Sequence, residues 1–438
     1  MKIFHFYLSI ILIVFYSNTI LYCNNNTQFL SPKSNLNVTE YLNILINSNS
    51  DLNIKSPSYQ NLRKMVHLKF SKVLKEVFAK DKSIFKPKIK IGAYNNKELS
   101  RKLITALEQS MALQIEDESD SNFWPRDQFT IIGGKKILRS DSELGEGGAL
   151  VWSNKDRFIL ASSMPPTTLP YVTEAQINNY HDKMKSFASS IGFKLYFIQP
   201  EENYSHIDTS IGIIDKLKII LVTPGAIQFY NKQVLEEFAR NEGYTIIETP
   251  HKDFEKCPAN LINIGSQIYL FNNSQETINE IINVLKNQSV DSSKFSETFI
   301  NVDLNSTRIF SDFGIRCMSN IDYSLIDYLS QNKNFSDLEI EAFTLIYEQF
   351  IKLFISEESP ETLLSDSFID NLTNELLLKS ILNSNIEESL KDTKIQTIRH
   401  NFIDIGNDDT SNRLSQFFGD SNLLNQLPQR NQPEETAV

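Results

Sequence analysis

"TSIGIIDKLKIILV", residues 209–222, is two short β-branched runs around the polar pair Asp215-Lys216. Such a pattern predicts a β-hairpin. The same plan recurs in "DQFTIIGGKKILRS" (127–140), which turns at Gly133-Gly134, and in "GALVWSNKDRFILAS" (148–162), which turns at Asn154-Lys155-Asp156. It recurs again in "NLINIGSQIYLFN" (260–272), which turns at Gly265-Ser266. After the hairpins at 148–162, 209–222 and 260–272 a helix is expected, starting at Thr173 with Gln176 as its capping-box partner, at Asn231 and at Ser274. The first ends at Gly192 and the second at Gly243, the residue type that suits a left-handed helix cap. A further strand follows each helix: "FKLYFIQP", "YTIIETP" and "ETFINVDL". Upstream, "KIKIGAY" and the helical spacing Leu99, Leu103, Leu107, Met111 make a less regular copy. The unit returns about every 55 residues and is too small to bury a core alone, so it must pack against its neighbours, as in propeller-like α/β assemblies.

The chain around these units has 438 residues, 41% of them hydrophobic, and a formal charge of -11, ample for a large core. No Lys/Arg-rich block tracks phosphates, so no nucleic-acid partner is expected, and the acidic balance suits a cationic substrate. "MKIFHFYLSIILIVFYSNTILYC" has the charged, apolar and polar regions of a secretory signal, giving residues 1–23 as a signal peptide and an extracytoplasmic (secreted or periplasmic) location. A membrane partner is expected only if that segment stays uncleaved or Cys23 is lipidated. Cys257 and Cys317 are then the remaining cysteines, too few for a disulfide framework or a zinc site, although one bridge between them stays open. The expected organisation is an N-terminal helical segment (24–84), the repeated α/β domain (85–335), a helical C-terminal extension (336–422) with Ser336 as its first N-cap, and a polar, disordered tail (423–438).

The chain has 14 glycines, and five of them (Gly133, Gly134, Gly145, Gly147, Gly148) fall within 16 residues, where the backbone must turn tightly or approach something closely. Beside them stand Asp127 in "NFWPRDQF" and Glu146 in "GEGGAL"; later come His206 and Asp208 in "NYSHIDTS", and Cys317 in "GIRCMSN". Two residues apart at the mouth of a strand, His206 and Asp208 are expected on one face. Glu146 to His206 is 60 residues, Asp208 to Asn260 is 52 and Asn260 to Cys317 is 57, so each sits at the same place in its unit. Equivalent places in a ring of units converge on its axis, which would gather Asp127, Glu146, His206, Asp208 and Cys317. Singly, a lone cysteine reads as packing, "EGG" as a turn and "RD" as a surface ion pair. Together they make chemical sense: a thiolate nucleophile, an imidazole to shuttle protons, and carboxylates that grip a planar guanidinium through its fork of donors.

As an ordered set these motifs resemble the guanidino-modifying enzymes of the pentein superfamily: arginine, agmatine and bacterial peptidylarginine deiminases, dimethylarginine hydrolases and amidinotransferases. "WPRD" resembles the Trp-x-Arg-Asp stretch of agmatine deiminases, "EGGALV" their Glu-Gly-Gly strand, "SHID" the family's Gly-His-x-Asp, and "RCMS" the nucleophile segment of arginine deiminases. The resemblance covers residues 85–320 and implies a pseudo-fivefold α/β propeller of ββαβ units. It also implies that Cys317 attacks the guanidinium carbon, that His206 handles the protons, that Asp127 and Asp208 hold the guanidinium nitrogens, and that Glu146 assists by hydrogen bonding. This chain departs from the pattern at Ser205 before the histidine, at Gln128 and Phe129 after the Arg-Asp, and in having "SDFGIR" where a glycine run is common before the nucleophile.

The expected activity is therefore a cysteine-dependent deiminase, turning the guanidino group of arginine or an arginine derivative into a ureido group with release of ammonia. Its substrate partner would be a small guanidino compound or a protein's arginine side chain. No metal or cofactor enters this chemistry. The alternatives are an amidinotransferase, in which an amine replaces water, and a non-catalytic binding protein on the same fold.

Overall fold

Gly133 and Gly134 turn the chain with φ of +60° and +83°, angles that a side chain makes costly, and the strands on either side pair directly across them. This hairpin and the others belong to a computed structural model. It describes residues 37–80, 82–92, 97–110, 114–118, 125–138, 144, 147–165, 172–198, 206–224, 229–265, 268–288, 299–304, 315–332, 334–355 and 364–405. Residues 1–23, and Glu146 with them, lie outside that set.

In chain order the strands are β1 (Lys88–Ile91), β2 (Gln114–Asp117), β3 (Phe129–Ile132), β4 (Lys135–Leu138), β5 (Leu150–Ser153), β6 (Phe158–Ser162) and β7 (Lys194–Ile198). Then come β8 (Ile211–Ile214), β9 (Ile219–Val222), β10 (Thr245–Glu248), β11 (Ile262–Ile264), β12 (Ile268–Asn272), β13 (Phe299–Val302) and β14 (Ser319–Asp322). They form five small sheets, ordered β14-β1-β2, β3-β4, β5-β6-β7, β10-β9-β8 and β11-β12-β13. In three of them a hairpin is followed by a helix and a parallel third strand. The helices are α4 (Glu174–Ser190), α5 (Phe229–Glu242) and α6 (Gln275–Asn287), while α3 (Lys97–Ser110) joins β1 to the parallel β2. Thr173 caps α4 in a full capping box with Gln176, worth about 1 kcal/mol. Gly192 and Gly243 follow α4 and α5 at φ of +70° and +71°.

Two turns differ from the expectation. The loop between β8 and β9 is not Asp215-Lys216 alone but a 3-10 turn, Asp215–Leu217, closed by Lys218 at φ +55°. The loop between β5 and β6 likewise runs from Asn154 to Arg157, the last at φ +54°. The added residues let turn side chains go inward: Asp215 is buried, accepting from Tyr269 Oη at 2.5 Å and Ser153 Oγ at 3.1 Å, and so ties three sheets together. A buried carboxylate is tolerable only with such partners.

The irregular upstream unit is completed from the far end of the α/β region. β14, which follows Cys317, pairs antiparallel with β1 from Ile91↔Ser319 to Lys88↔Asp322. One strand of every sheet, β3, β5, β8, β11 and β14, then lines a common cavity of about 120 Å³. Helices cover one end of it. α1 (Val38–Asn47), α2 (Pro57–Lys80), α7 (Ser324–Gln331), α8 (Asp337–Ile355), α9 (Asp366–Leu382) and α10 (Glu388–Asp404) share one apolar core with residues of β1, β3 and β11. Ser336 caps α8 through reciprocal bonds with Glu339. α8 lies against the hairpin turns: a Cβ on Gly134 would sit 2.3 Å from Glu341 O, and one on Gly265 2.0 Å from Ile351 Cγ2. Buried charged side chains add to this, with Arg157 paired to Glu375 and Lys379 Nζ donating to Gly133 O at 2.8 Å. Among the described residues, no helix is long and apolar enough to cross a membrane.

Candidate active site

At the opposite end from α8 the loops that precede the cavity-lining strands meet, and buried Asn260 is where two of them join. The turn Cys257–Asn260 (Asn260 N to Cys257 O, 2.9 Å) delivers its side chain, with Cys257 at φ +46°. The Asn260 carboxamide oxygen accepts the backbone N–H groups of Arg316 at 2.8 Å and Cys317 at 3.2 Å. Its nitrogen donates to Asp208 O at 3.1 Å and lies 3.5 Å from Cys317 Sγ. Cys317 is 5% exposed, and Cys257 and Cys317 are both thiols, so no bridge joins them. The adjoining Met318 O accepts Gly92 N at 3.0 Å, which fixes the Cys317 turn to the end of β1.

His206 and Asp208 come from the segment just before β8. They do not sit on a strand, so the same-face expectation does not apply; residues 207–210 form a turn closed by Ser210 N to Ile207 O at 3.0 Å, and the strand begins at Ile211. That turn is anchored on Gly148, whose carbonyl accepts Ile207 N at 2.9 Å and Asp208 N at 3.2 Å. The His206 ring covers Gly148 so closely that a Cβ there would be 2.4 Å from Nδ1. Close approach, not a special φ, is therefore what requires glycine in this part of "EGG".

Asp208 is 0% exposed, yet neither carboxylate oxygen has a hydrogen-bond partner among the described residues. Arg316 is a charged neighbour, with Nε 3.8 Å from Oδ2, and Asp208 also bears on the charge of Arg126. A carboxylate so placed is costly to bury and is open to a ligand with N–H donors and a positive charge.

Asp127 ends the 3-10 turn Pro125–Asp127 and is buried. Its neighbour Arg126, also buried, donates from Nη2 to Gly147 O at 2.8 Å and from Nη1 to Thr130 Oγ1 at 3.4 Å, tying the "RD" and "EGG" segments together. Burial, then the charge of Arg316, lowers the Arg126 pKa to about 9; Asp208, Asp127 and Cys317 act against that fall, and the group stays charged at neutral pH. Burial also lowers Arg316, opposed by Asp208 and Cys317. These couplings put Asp127, Asp208 and Cys317 in one electrostatic neighbourhood, with His206 beside Asp208; Glu146 lies outside the described residues.

Arg126, Asn260 and Arg316 had no role in the expected site. Asn260 had a signal, its place at unit spacing, but carboxamides seldom announce chemistry. The arginines were visible only as neighbours of Asp127 and Cys317. Among the described residues no group of three or more His, Cys, Asp or Glu could hold a metal ion.

No family model matches the sequence, and no curated protein matches it. Solved structures similar to it include guanidino-modifying enzymes. One is the product-bound N-terminal domain of ArgZ, an arginine dihydrolase from the ornithine–ammonia cycle in cyanobacteria, with TM-score 0.37 and 12% identity over 54% of this chain and 97% of that one. Another is the dimethylarginine hydrolase DDAH from Pseudomonas aeruginosa complexed with citrulline, with TM-score 0.38 and 12% identity over 53% and 98%. Unliganded AgrE has TM-score 0.38 and 11% identity over 55% and 40%.

Proposed function

We propose that the protein is a cysteine-dependent guanidino hydrolase, a deiminase of arginine or an arginine derivative, built as a pseudo-fivefold ring of ββαβ units. The observation that carries this is Asp208: a fully buried carboxylate, both oxygens lacking hydrogen-bond donors among the described residues, hydrogen-bonded through its backbone to the asparagine that also holds Cys317. A guanidinium supplies what is missing, two parallel N–H donors and a charge.

In this reading Asp208 and Asp127 hold the substrate guanidinium with its carbon over Cys317 Sγ. The thiolate, favoured by the charges of Arg126 and Arg316, adds to that carbon. His206 gives a proton to the departing nitrogen, which leaves as ammonia, and an S-alkylthiouronium remains. Water then adds to the same carbon while His206 takes its proton, the C–S bond breaks, and the ureido product leaves with the thiolate restored. Glu146 would support the substrate by hydrogen bonding.

Purified protein incubated with arginine, agmatine, methylarginines and an arginine-containing peptide should release ammonia and form a ureido product from at least one of them, and Cys317→Ala should form none. Ureido product from none of them, with amidino transfer to added glycine, would make the protein an amidinotransferase. Neither product, with retained binding of a guanidino compound, would make it a binding protein.

A further inference from the structure

Trp152 stands at the junction of the candidate site and the cavity beneath it. Its ring centroid is 4.8 Å from Cζ of Arg126 and 5.2 Å from Cζ of Arg316, and all three residues line the cavity. The two arginines are a like-charged pair in a buried place, and the charge of Arg316 helps to lower the pKa of Arg126. Hydrogen bonding does not fully account for their placement. Arg126 Nε has no partner among the described residues although Arg126 is only 5% exposed, and the longest bond of Arg316, Nη2 to Leu150 O, is 3.4 Å. An indole face attracts guanidinium without needing an acceptor atom, and it does so most strongly away from water. Arg126 props Gly147, and Arg316 lies beside the nucleophile and 3.8 Å from Asp208.

We propose that Trp152 is a positioning residue: its indole holds Arg126 and Arg316 together beside Cys317, so that both positive charges bear on the thiolate. The inference rests on Cys317 being the reactive thiol of the proposed hydrolase, but its test needs no substrate, so failure to form a ureido product and failure of this inference are separate results.

The rate of iodoacetamide alkylation at Cys317, followed by peptide mass spectrometry from pH 5 to 10, reports the thiolate fraction. In Trp152→Leu the profile should move up by about one pH unit as the guanidinium charges loosen, while Trp152→Phe, which keeps an aromatic face, should move much less. An unmoved profile in folded Trp152→Leu, or equal shifts in Leu and Phe, overturns the proposal. Should Trp152→Leu fail to fold, fluorinated tryptophans decide, because the chain has only two tryptophans, Trp124 and Trp152. In a Trp124→Phe background, each added fluorine weakens the ring's hold on cations and should raise the alkylation midpoint stepwise; a flat series overturns the proposal.

Discussion

The carboxamide of Asn260 holds Cys317 at both ends, taking its backbone N–H at 3.2 Å on one atom and lying 3.5 Å from its sulfur with the other. Orientation of the thiol and shape of its turn thus depend on one side chain. Asn260→Asp keeps the shape but replaces a donor by a negative charge next to the sulfur, so turnover should fall by about a hundredfold or more, with a higher pH needed for Cys317 alkylation. Asn260→Ala, which removes the acceptor of the buried Cys317 N–H and leaves Arg316 N its 3.2 Å bond to Asn260 O, should also cost about 1–3 kcal/mol in denaturant unfolding.

Asp208→Asn should separate function from stability. Removing a buried charge that has no hydrogen-bond partner among the described residues relieves a folding cost, so the melting temperature should hold or rise. Guanidinium binding, measured calorimetrically with the best substrate on a Cys317→Ser background, should weaken by about a hundredfold or more. A large drop in melting temperature would show instead that Asp208 is a structural ion-pair partner of Arg316.

Gly148→Ala tests the packing of His206. The added methyl would overlap the imidazole at 2.4 Å, and the ring must swing away. If His206 carries protons in the proposed reaction, turnover should drop by about a hundredfold, while urea unfolding changes by no more than about 2 kcal/mol.

Glu348 reaches the cavity from α8, where Asn154 donates to it and Tyr323 and Asp215 stand close. Burial raises its pKa from 4.5 to about 7, Asp215 adds to the rise, and the bonds from Asn154 and Tyr323 oppose it. The folded protein therefore binds a proton that the unfolded chain has released across this window. Its contribution is favourable below about pH 4.5 and is lost as pH climbs toward 7, a loss of up to about 3 kcal/mol. Glu348→Gln keeps an acceptor for Asn154 and should remove that slope, gaining on wild type in unfolding free energy between pH 5 and 8.

What was legible in advance followed from local chemistry. Gly133-Gly134, the capping box at Thr173 and the glycines after α4 and α5 each dictate a backbone angle or a bond within a few residues, and they mark the units correctly. The pairing of β14 with β1 has no such local mark, since it joins residues more than 200 positions apart and is decided by burial of Ile89 and Ile91. The longer turns at Asp215 and Asn154 have no local mark because their burial depends on partners in other units, Tyr269 and Ser153 for one, Glu348 for the other. In the site, residues whose type announces reactivity stood out, whereas Asn260 matters for how its amide is aimed, which no spacing conveys.

The closing strand β14 begins two residues after Cys317 and pairs with a strand near the start of the α/β region. During synthesis, then, β1 must wait with that edge unpaired until some 230 further residues have been made. The thiol is held in its final turn only after this last strand zips in. A nascent or prematurely ended chain would carry Cys317 without the turn that Asn260 and β14 give it.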